Sequence, residues 1–452
     1  MNALKPLSRR RFLKHTRNAI AVAAAPLILP SGCVTGAGGR KAWKPRPNGH
    51  IQVGYIGCGR RANSLYGLPE PGKLVALSDI YRPRLEKLKE RFTDAVLYDD
   101  YNEMLASDEI DAVVIVTPDH WHTRPVIDAC RAGKDVYCEK PLTLTIDEGI
   151  QIVEAVRKHS IIAQTGSQQR SMLSCAEGMR RVLNGEIGNV QRVHTANLPS
   201  PWDCDLGEEP VPEGLNWDAW CGQTEPRGFH PLLFSPRGDG KSYPDGRPYG
   251  WISYTPYSGG EVTGWGAHSM DMIHWGLGFD YSGPVEVWPE PFAPGELSFQ
   301  GKPLTGDNPW PEAAQLACPV VFRYANGVTV HMDGKGPAGG GLFLGDEGGI
   351  NIARGVYEFK RNGADKIRVE EPAGRSDTVE HLRNWFECIQ TREKPAAELE
   401  IGHRSATACH LGNIARWLGR KITWNPEKEA FVNDPEATAY IKRNQRKGYE
   451  TA

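Results

Sequence analysis

From Ile51 onward, short apolar runs alternate with amphipathic stretches, the rhythm of strands and helices laid down in turn. Ile51-Gln-Val-Gly-Tyr-Ile56 reads as a strand that breaks into the turn Gly57-Cys-Gly59-Arg-Arg-Ala62, with a helix expected behind it. Lys73–Ser78 is a second strand. Pro83–Phe92 is a helix with proline in its first turn, Ala95–Tyr98 a strand and Tyr101–Ser107 a short helix. Ala112–Val116 is apolar throughout, as a strand covered on both faces must be. Arg124–Ala132 is a helix stopped by Gly133, and Val136–Cys138 a strand. Thr145 and Glu148 form a capping box for a helix running to His159, and Ile161–Gln164 supplies a further strand. Such alternation predicts a parallel, doubly wound sheet whose ligand edge lies at the carboxyl ends of its strands.

Those ends carry Gly57, Asp79, Thr117-Pro-Asp119, Glu139-Lys-Pro141 and Thr165-Gly-Ser167. In a G-x-G-x-x-A turn, Gly57 permits the tight bend and Gly59 lets backbone approach a pyrophosphate. Ala62 lets the helix pack on its strand, and Arg60 and Arg61 ride on the same turn. Asp79 closes the second strand at the spacing of a carboxylate that holds a ribose 2′-hydroxyl. An acid there repels a 2′-phosphate, so NAD is expected ahead of NADP, while Arg82 and Arg84 keep NADP open. Residues 49–168 are therefore read as a Rossmann dinucleotide-binding domain.

Gln164-Thr-Gly-Ser-Gln-Gln-Arg170 is the crossing point to the rest of the chain, and its side chains suit a polyol. A helix over Ala176–Asn184 and a strand over Val190–Ala196 follow, then a long irregular stretch to about Gly260. That stretch is aromatic from Trp202 to Tyr257, through Trp217, Trp220, Phe229 and Trp251. Long loops in compact domains are usually functional, and sugar C–H faces stack on aromatic rings; packing is the other use for such residues. Arg227 and Arg237 are candidate substrate contacts. Short strands alternate with turns from Pro284 to about Lys360, with Tyr324-Ala-Asn-Gly327 as a hairpin signal. Val379–Gln390 and Gly402–Leu418 are helices, the second ended by Gly419. Their polar residues His381, Asn384, His403 and Arg404 either return to the cleft or face solvent. The tail from Trp424 is expected to pack on the outside.

At 452 residues the chain can bury the cores of two domains. Its 53 basic and 55 acidic residues nearly cancel, and no basic block follows the first twenty residues, which argues against a nucleic-acid surface. Residues 1–48 read as a targeting segment and linker. Ser8-Arg-Arg-Arg-Phe-Leu-Lys14 precedes the modest apolar run Ala19–Leu29, a pattern resembling a twin-arginine export signal. Export by that route carries folded protein, with its cofactor tightly bound, to the periplasm or the outer side of the membrane. The run is too short to span a bilayer, and Cys33 is a candidate lipid anchor. The ten cysteines lack C-x-x-C or zinc spacing, so no metal and no disulfide is expected.

Gly57-x-Gly59, Thr117-Pro-Asp-His-Trp-His122, Ala132-Gly-Lys-Asp-Val-Tyr-Cys-Glu-Lys-Pro141 and Gly266-Ala-His-Ser-Met-Asp271 resemble the Gfo/Idh/MocA family, named for glucose–fructose oxidoreductase, inositol dehydrogenase and a rhizopine-catabolism protein. The resemblance implies that 169–452 forms an α/β domain on a large open, mostly antiparallel sheet, whose faces make homodimers or homotetramers. It implies sugar or cyclitol substrates and hydride transfer between a ring carbinol and nicotinamide. Lys140 matches the family's central lysine and His268 its general base. Pro118 and His122 match positions on the nicotinamide side, beside Thr117 and Glu139, while His120 and Trp121 shape the cleft. The family's aspartate four residues before the histidine is Gly264 here, so Glu261 or Asp271 is left to supply a carboxylate. Gln168, Arg170 and Trp202 complete the candidate substrate contacts. The reading is an NAD-dependent oxidoreductase. The alternatives are an NAD-dependent glycosidase working through transient oxidation and a carbohydrate-binding protein that kept the fold.

Overall fold

The computed structural model describes residues 49–203, 206–235, 250–290 and 316–451. The segment expected to direct export, Cys33 and Arg237 lie outside the described residues. Six strands build the first sheet: β1 (Ile51–Ile56), β2 (Gly72–Ser78), β3 (Val96–Tyr98), β4 (Ala112–Ile115), β5 (Asp135–Cys138) and β6 (Ala163–Thr165). Their order is β3-β2-β1-β4-β5-β6 and every neighbouring pair is parallel, the doubly wound Rossmann arrangement. All of β4 is buried, as its apolar run requires. Helices Arg82–Arg91, Thr123–Arg131 and Ile146–His159 flank the sheet. The capping box opens the last of these: Glu148 N–H donates to Thr145 Oγ1 at 3.4 Å, and Thr145 N–H to the Glu148 carboxylate at 3.2 Å.

The helix expected after the glycine turn is not an α-helix. A single 3-10 turn, Ala62–Ser64, is followed by irregular chain to β2. Gly67, Pro69 and Pro71 leave no uninterrupted stretch in which backbone donors and helical angles can propagate. Burial of Leu65 and Tyr66, and a 2.7 Å hydrogen bond from Tyr55 Oη to Leu65 O, hold the segment on the sheet instead.

The second sheet has ten strands. From one edge they run Ile367–Glu370, Val356–Arg361, Gly348–Ala353, Gly341–Gly345, Val190–Thr195, Thr329–Met332, Val320–Arg323, Glu286–Pro289, Ile422–Asn425 and Ala430–Phe431. Val190–Thr195 and Thr329–Met332 pair in parallel, and the other neighbours are antiparallel. The hairpin signal holds, with Tyr324 N–H donating to Val328 O at 2.9 Å and Gly327 at φ +87°. Helices Leu173–Leu183, Gly260–Leu277 and Leu399–Leu418 share one core with this sheet, joining Met179, Met270, Ile273, Leu411, Phe322 and Phe343. Where the helices press closest the side chain must vanish: a Cβ on Gly276 would stand 2.8 Å from Met179 Sδ and 2.9 Å from the Phe343 ring.

At the periphery, the packing use left open for the aromatic stretch predominates, and the expectation about the tail is corrected. The aromatic stretch after Trp202 is chiefly a small core of its own, in which Trp217 and Trp220 stack at 4.4 Å with Phe229, Tyr254 and Tyr257 around them. The tail does not stay outside. Ile422–Asn425 extends the large sheet, and residues 443–451 reach the Rossmann domain. There Arg443 Nη2 donates to His120 O at 2.8 Å and Arg124 donates to Glu450 O at 2.7 Å, while Arg446 pairs with Asp218 of the aromatic stretch at 2.6 Å.

Candidate active site

β1 delivers Gly57 at φ +83°, where a Cβ would stand 2.9 Å from the backbone of Val116 and Thr117. Only glycine fits where the ends of β1 and β4 lie side by side. Gly59 is the opposite case: no atom lies within 4 Å of where its Cβ would be. Its open side belongs to a cavity of about 940 Å³ along the carboxyl edge of the sheet. The walls contain Gly57, Gly59, Arg60, Arg61, Asp79, Thr117, Pro118, His122, Glu139 and Lys140, every residue the sequence suggested for the cofactor. Opposite stand Asn216, Trp220, Phe234 and Trp251, with Gly448 and Tyr449 from the tail. A long concave site, open where a glycine backbone is bare, fits a dinucleotide.

Asp79 is engaged within the protein. Its carboxylate accepts from Cys58 N–H at 2.7 Å and Tyr81 N–H at 2.9 Å, and from Arg84 Nη1 at 3.0 and 2.9 Å. It thus braces the glycine turn while walling the cavity, and Arg84 stands beside it. Glu139 is held from two sides, by Arg61 at 2.9 Å and by Gln168 Nε2 at 2.9 Å; the same Gln168 nitrogen donates to Tyr137 Oη at 2.7 Å. Burial would raise the Glu139 carboxyl, yet Arg61 and Lys140 hold it below the usual carboxylate range. A Cβ on Gly166 would meet Glu139 Oε1 at 2.7 Å, so the residue that follows β6 is glycine where the carboxylate passes. The His122 ring lies between Pro141 O at 2.7 Å and Thr117 O at 2.9 Å, tying the Lys140 turn to the end of β4.

His268 comes from helix Gly260–Leu277 of the second domain and does not wall the cavity itself. It is buried, its Nδ1 meets no hydrogen-bond partner, and burial drives its pKa well below the ordinary imidazole value. Among the charges that deepen the shift Lys140 acts most strongly, followed by Arg354, Arg61 and His381. A lysine of the first domain therefore sets the field at a neutral imidazole of the second. His381 returns to this region, its ring between Ser171 Oγ at 2.8 Å and Thr165 O at 2.9 Å. His403 and Arg404 instead pair with Glu429 on their own side of the fold.

Several substrate candidates have other partners. Arg170 Nε donates to both oxygens of Asp271 at 2.9 Å and its Nη2 to Asp280 at 2.6 Å, a buried ion cluster. Asp271 therefore serves Arg170 and not His268; burial lifts its carboxyl to about 6. Glu261 is buried in the first turn of its helix, and Trp202 packs edge-on against Tyr254 at 5.8 Å. None of Gln168, Arg170, Trp202, Glu261 or Asp271 walls the cavity. The sequence pointed to Trp220 and Trp251 but missed Phe234 and Tyr449, because their approach to the glycine turn depends on packing over more than a hundred residues. Among the described residues no cluster of His, Cys, Asp or Glu is arranged to hold a metal, and no helix is long and apolar enough to cross a membrane. The eight described cysteines are buried.

Fold and cavity together define a dinucleotide-binding α/β protein with a second, sheet-based domain. Residues 51–167 match the NAD-binding Rossmann fold of the Gfo/Idh/MocA oxidoreductase family, and residues 201–451 match its C-terminal alpha/beta domain. The chain belongs to that family. It is similar to myo-inositol 2-dehydrogenase of Thermotoga maritima, 31% identical over 157 residues, 33% of this chain and 46% of that protein. It is also similar to a glycosyl hydrolase family 109 protein of Solibacter usitatus, 32% identical over 172 residues, 34% of this chain and 39% of the other. These matches span less than half of the relatives' length. Among solved structures, levoglucosan dehydrogenase in complex with NADH and levoglucosan superposes with a TM-score of 0.56 at 17% identity, covering 86% of this chain and 100% of that one. Aldose-aldose oxidoreductase from Caulobacter crescentus, complexed with glycerol, does so at 0.58 and 17%, covering 83% and 99%.

Proposed function

We propose that the protein transfers hydride between NAD and a ring hydroxyl of a sugar, glycoside or cyclitol. The observation that carries this reading is the neutral, buried His268 lying in the field of Lys140, which itself walls the cavity beside the glycine turn. Nicotinamide, when bound, supplies the hydride acceptor. His268 takes the hydroxyl proton, since an imidazole kept neutral is ready as a base. The Lys140 ammonium stabilises negative charge developing on the carbinol oxygen. Asp79 serves the ribose through the turn that it braces, and Arg84 beside it leaves NADP as the lesser cofactor. Inositol and levoglucosan dehydrogenases among the relatives and structural neighbours support a ring polyol as substrate. The test is absorbance of reduced nicotinamide on adding cyclitols and aldoses to the purified protein; no response across ring polyols would reject the reading.

A glycosidase is the second reading, favoured by the enclosure of the cavity by Trp220, Trp251 and Tyr449, which suits a cofactor retained through the cycle, and by the family 109 relative. In it the ring is oxidised, the aglycone eliminated, water added and the ring reduced again, so that no net redox change remains. Release of a chromogenic aglycone without added acceptor and without net NADH separates the two. We also propose export by the twin-arginine route to the periplasm, with Cys33 as the site of a lipid anchor, and assembly as a homodimer or homotetramer. Fractionation of cells carrying wild-type or Arg9→Lys/Arg10→Lys protein tests the first, and solution mass the second.

A further inference from the structure

Lys140 and His268 stand in different domains, yet one carbinol must meet both. Reacting groups misplaced by about 1 Å lose on the order of a hundredfold in rate. Domains of one chain move against each other unless something ties them. The tie lies at the crossing point, in the 3-10 turn Gln168–Ser171, where four consecutive side chains bond to four different segments. Gln168 Nε2 donates to Glu139 Oε1 at 2.9 Å and to Tyr137 Oη at 2.7 Å, and Glu139 is the residue before Lys140. Gln169 Nε2 donates to Gly339 O, in the loop that leads into the strand Gly341–Gly345. Arg170 Nε donates to both oxygens of Asp271 at 2.9 Å, about one helical turn beyond His268. Its Nη2 reaches Asp280 at 2.6 Å, just past the end of the same helix. Ser171 Oγ meets His381 Nδ1 at 2.8 Å, on the helix Asp377–Thr391.

The turn has no room to slide. Gln168 and Gln169 are 1% exposed and Arg170 8%, so a bond lost here leaves a polar group without water to replace it. The Trp275 ring centroid lies 5.2 Å from Arg170 Cζ, and Ser405 Oγ donates to Asp271 Oδ1 at 3.4 Å from the helix Leu399–Leu418. His381 grips both ends of the turn. Its Nε2 donates to Thr165 O at 2.9 Å, which leaves Nδ1 to accept from Ser171 Oγ. We propose that this turn sets the spacing of Lys140 from His268, with Gln168 and Arg170 as positioning residues for the hydride transfer. Both lie off the cavity wall. Gln168 aligns the Lys140 ammonium through Glu139, and Arg170 holds the helix that presents the imidazole. Residues that read from the sequence as substrate contacts thus act through the two groups they hold. The inference deepens the oxidoreductase reading and rests on it.

The test is steady-state kinetics of the holoprotein with myo-inositol and glucose as probes, with retained nucleotide and crystal structures in parallel. Gln168→Leu and Arg170→Met should lower kcat by about 10- to 10²-fold, while KM and nucleotide content shift by less than about threefold. Arg170→Lys, which keeps the charge, should recover most of the loss. Phe431→Leu, on the edge strand of the large sheet, should lower the melting temperature and leave kcat within about twofold, which separates placement from stability. In a Lys140→Ala background Gln168→Leu should cost less than about threefold, since the group it aligns is gone. Full kcat in either Gln168→Leu or Arg170→Met, a loss confined to KM, or a fully additive loss in the double variant overturns the inference. If Arg170→Met does not fold, Gln168→Leu and the double variant decide. If the wild type turns over neither these probes nor any other ring polyol, the oxidoreductase reading falls. The crystal structures then judge the turn alone, and a Lys140–His268 separation unchanged in Gln168→Leu removes its role.

Discussion

Lys140 and His268 act in different domains on what is proposed to be one reaction, so each can be removed while its own fold stays whole. Lys140→Ala should keep NAD bound and lower kcat by about 10²- to 10⁴-fold, the scale of a group that acts on transition-state charge; unaltered turnover would remove it from the mechanism. His268 contributes a pH signature. Because burial and Lys140 hold its pKa well below the ordinary value, kcat/KM should stay level as pH falls from 8 to about 6. An acid limb centred near the free imidazole value would show that another group is the base. At Gly57 the argument is steric: alanine must adopt φ +83° and press on backbone, so Gly57→Ala should cost roughly 1–3 kcal/mol and impair nucleotide retention, read from urea midpoints and bound absorbance. Lys140 and Gly57 were legible in the sequence because the short motif around each sets its place at a strand end. Asp271 was not: its spacing from His268 fits a shared helix face, but Arg170, a hundred residues earlier, captures it.

Within the elements, local chemistry explains most of what forms and where it stops. The capping box at Thr145 and the glycine stops at Gly133 and Gly419 need only neighbours a few residues away, and they stand as the pattern predicts. The lost helix after the glycine turn was legible too, in Gly67, Pro69 and Pro71, which outweigh the expectation carried by the motif. In its absence Asp79 acquires a second duty, accepting from Cys58 N–H to brace the turn. Asp79→Ala should therefore weaken NAD by more than a ribose contact alone, and by freeing Arg84 it should narrow the preference for NAD over NADP by about tenfold. Comparing the two dissociation constants decides this, and an unchanged ratio would show that the carboxylate does not select the cofactor.

For the molecule as a whole, buried histidines set the response to acid. Burial lowers His120 to about 3 and His274, His381 and His410 to about 4, and it lowers His268 as well. The unfolded chain takes up protons near pH 6.5 that these rings refuse when folded. Stability is therefore full above that pH and falls as the pH drops through it toward 4, by about 1.4 kcal/mol per unit for each ring. Urea midpoints between pH 7.5 and 5 should decline steeply, and a flat profile would contradict the burial of these rings. The tail offers a second test at this scale. Tyr449 walls the cavity and its hydroxyl donates to Asp218 at 3.0 Å, so Tyr449→Ala should speed the loss of bound nucleotide during gel filtration while leaving the melting temperature nearly unchanged. Equal retention would make the tail mere packing.

By itself the sequence determined the periodic elements, the order of the first domain and the residues at its strand ends, because apolar period, caps and glycine turns act over a few positions. Only the tertiary structure decided which charges neutralise one another, that the aromatic stretch and the tail wall the nucleotide cavity, and that a four-residue turn holds both the residue before Lys140 and the helix of His268. Those outcomes depend on which distant surfaces exclude water together, and a short stretch of sequence carries no record of what will pack against it.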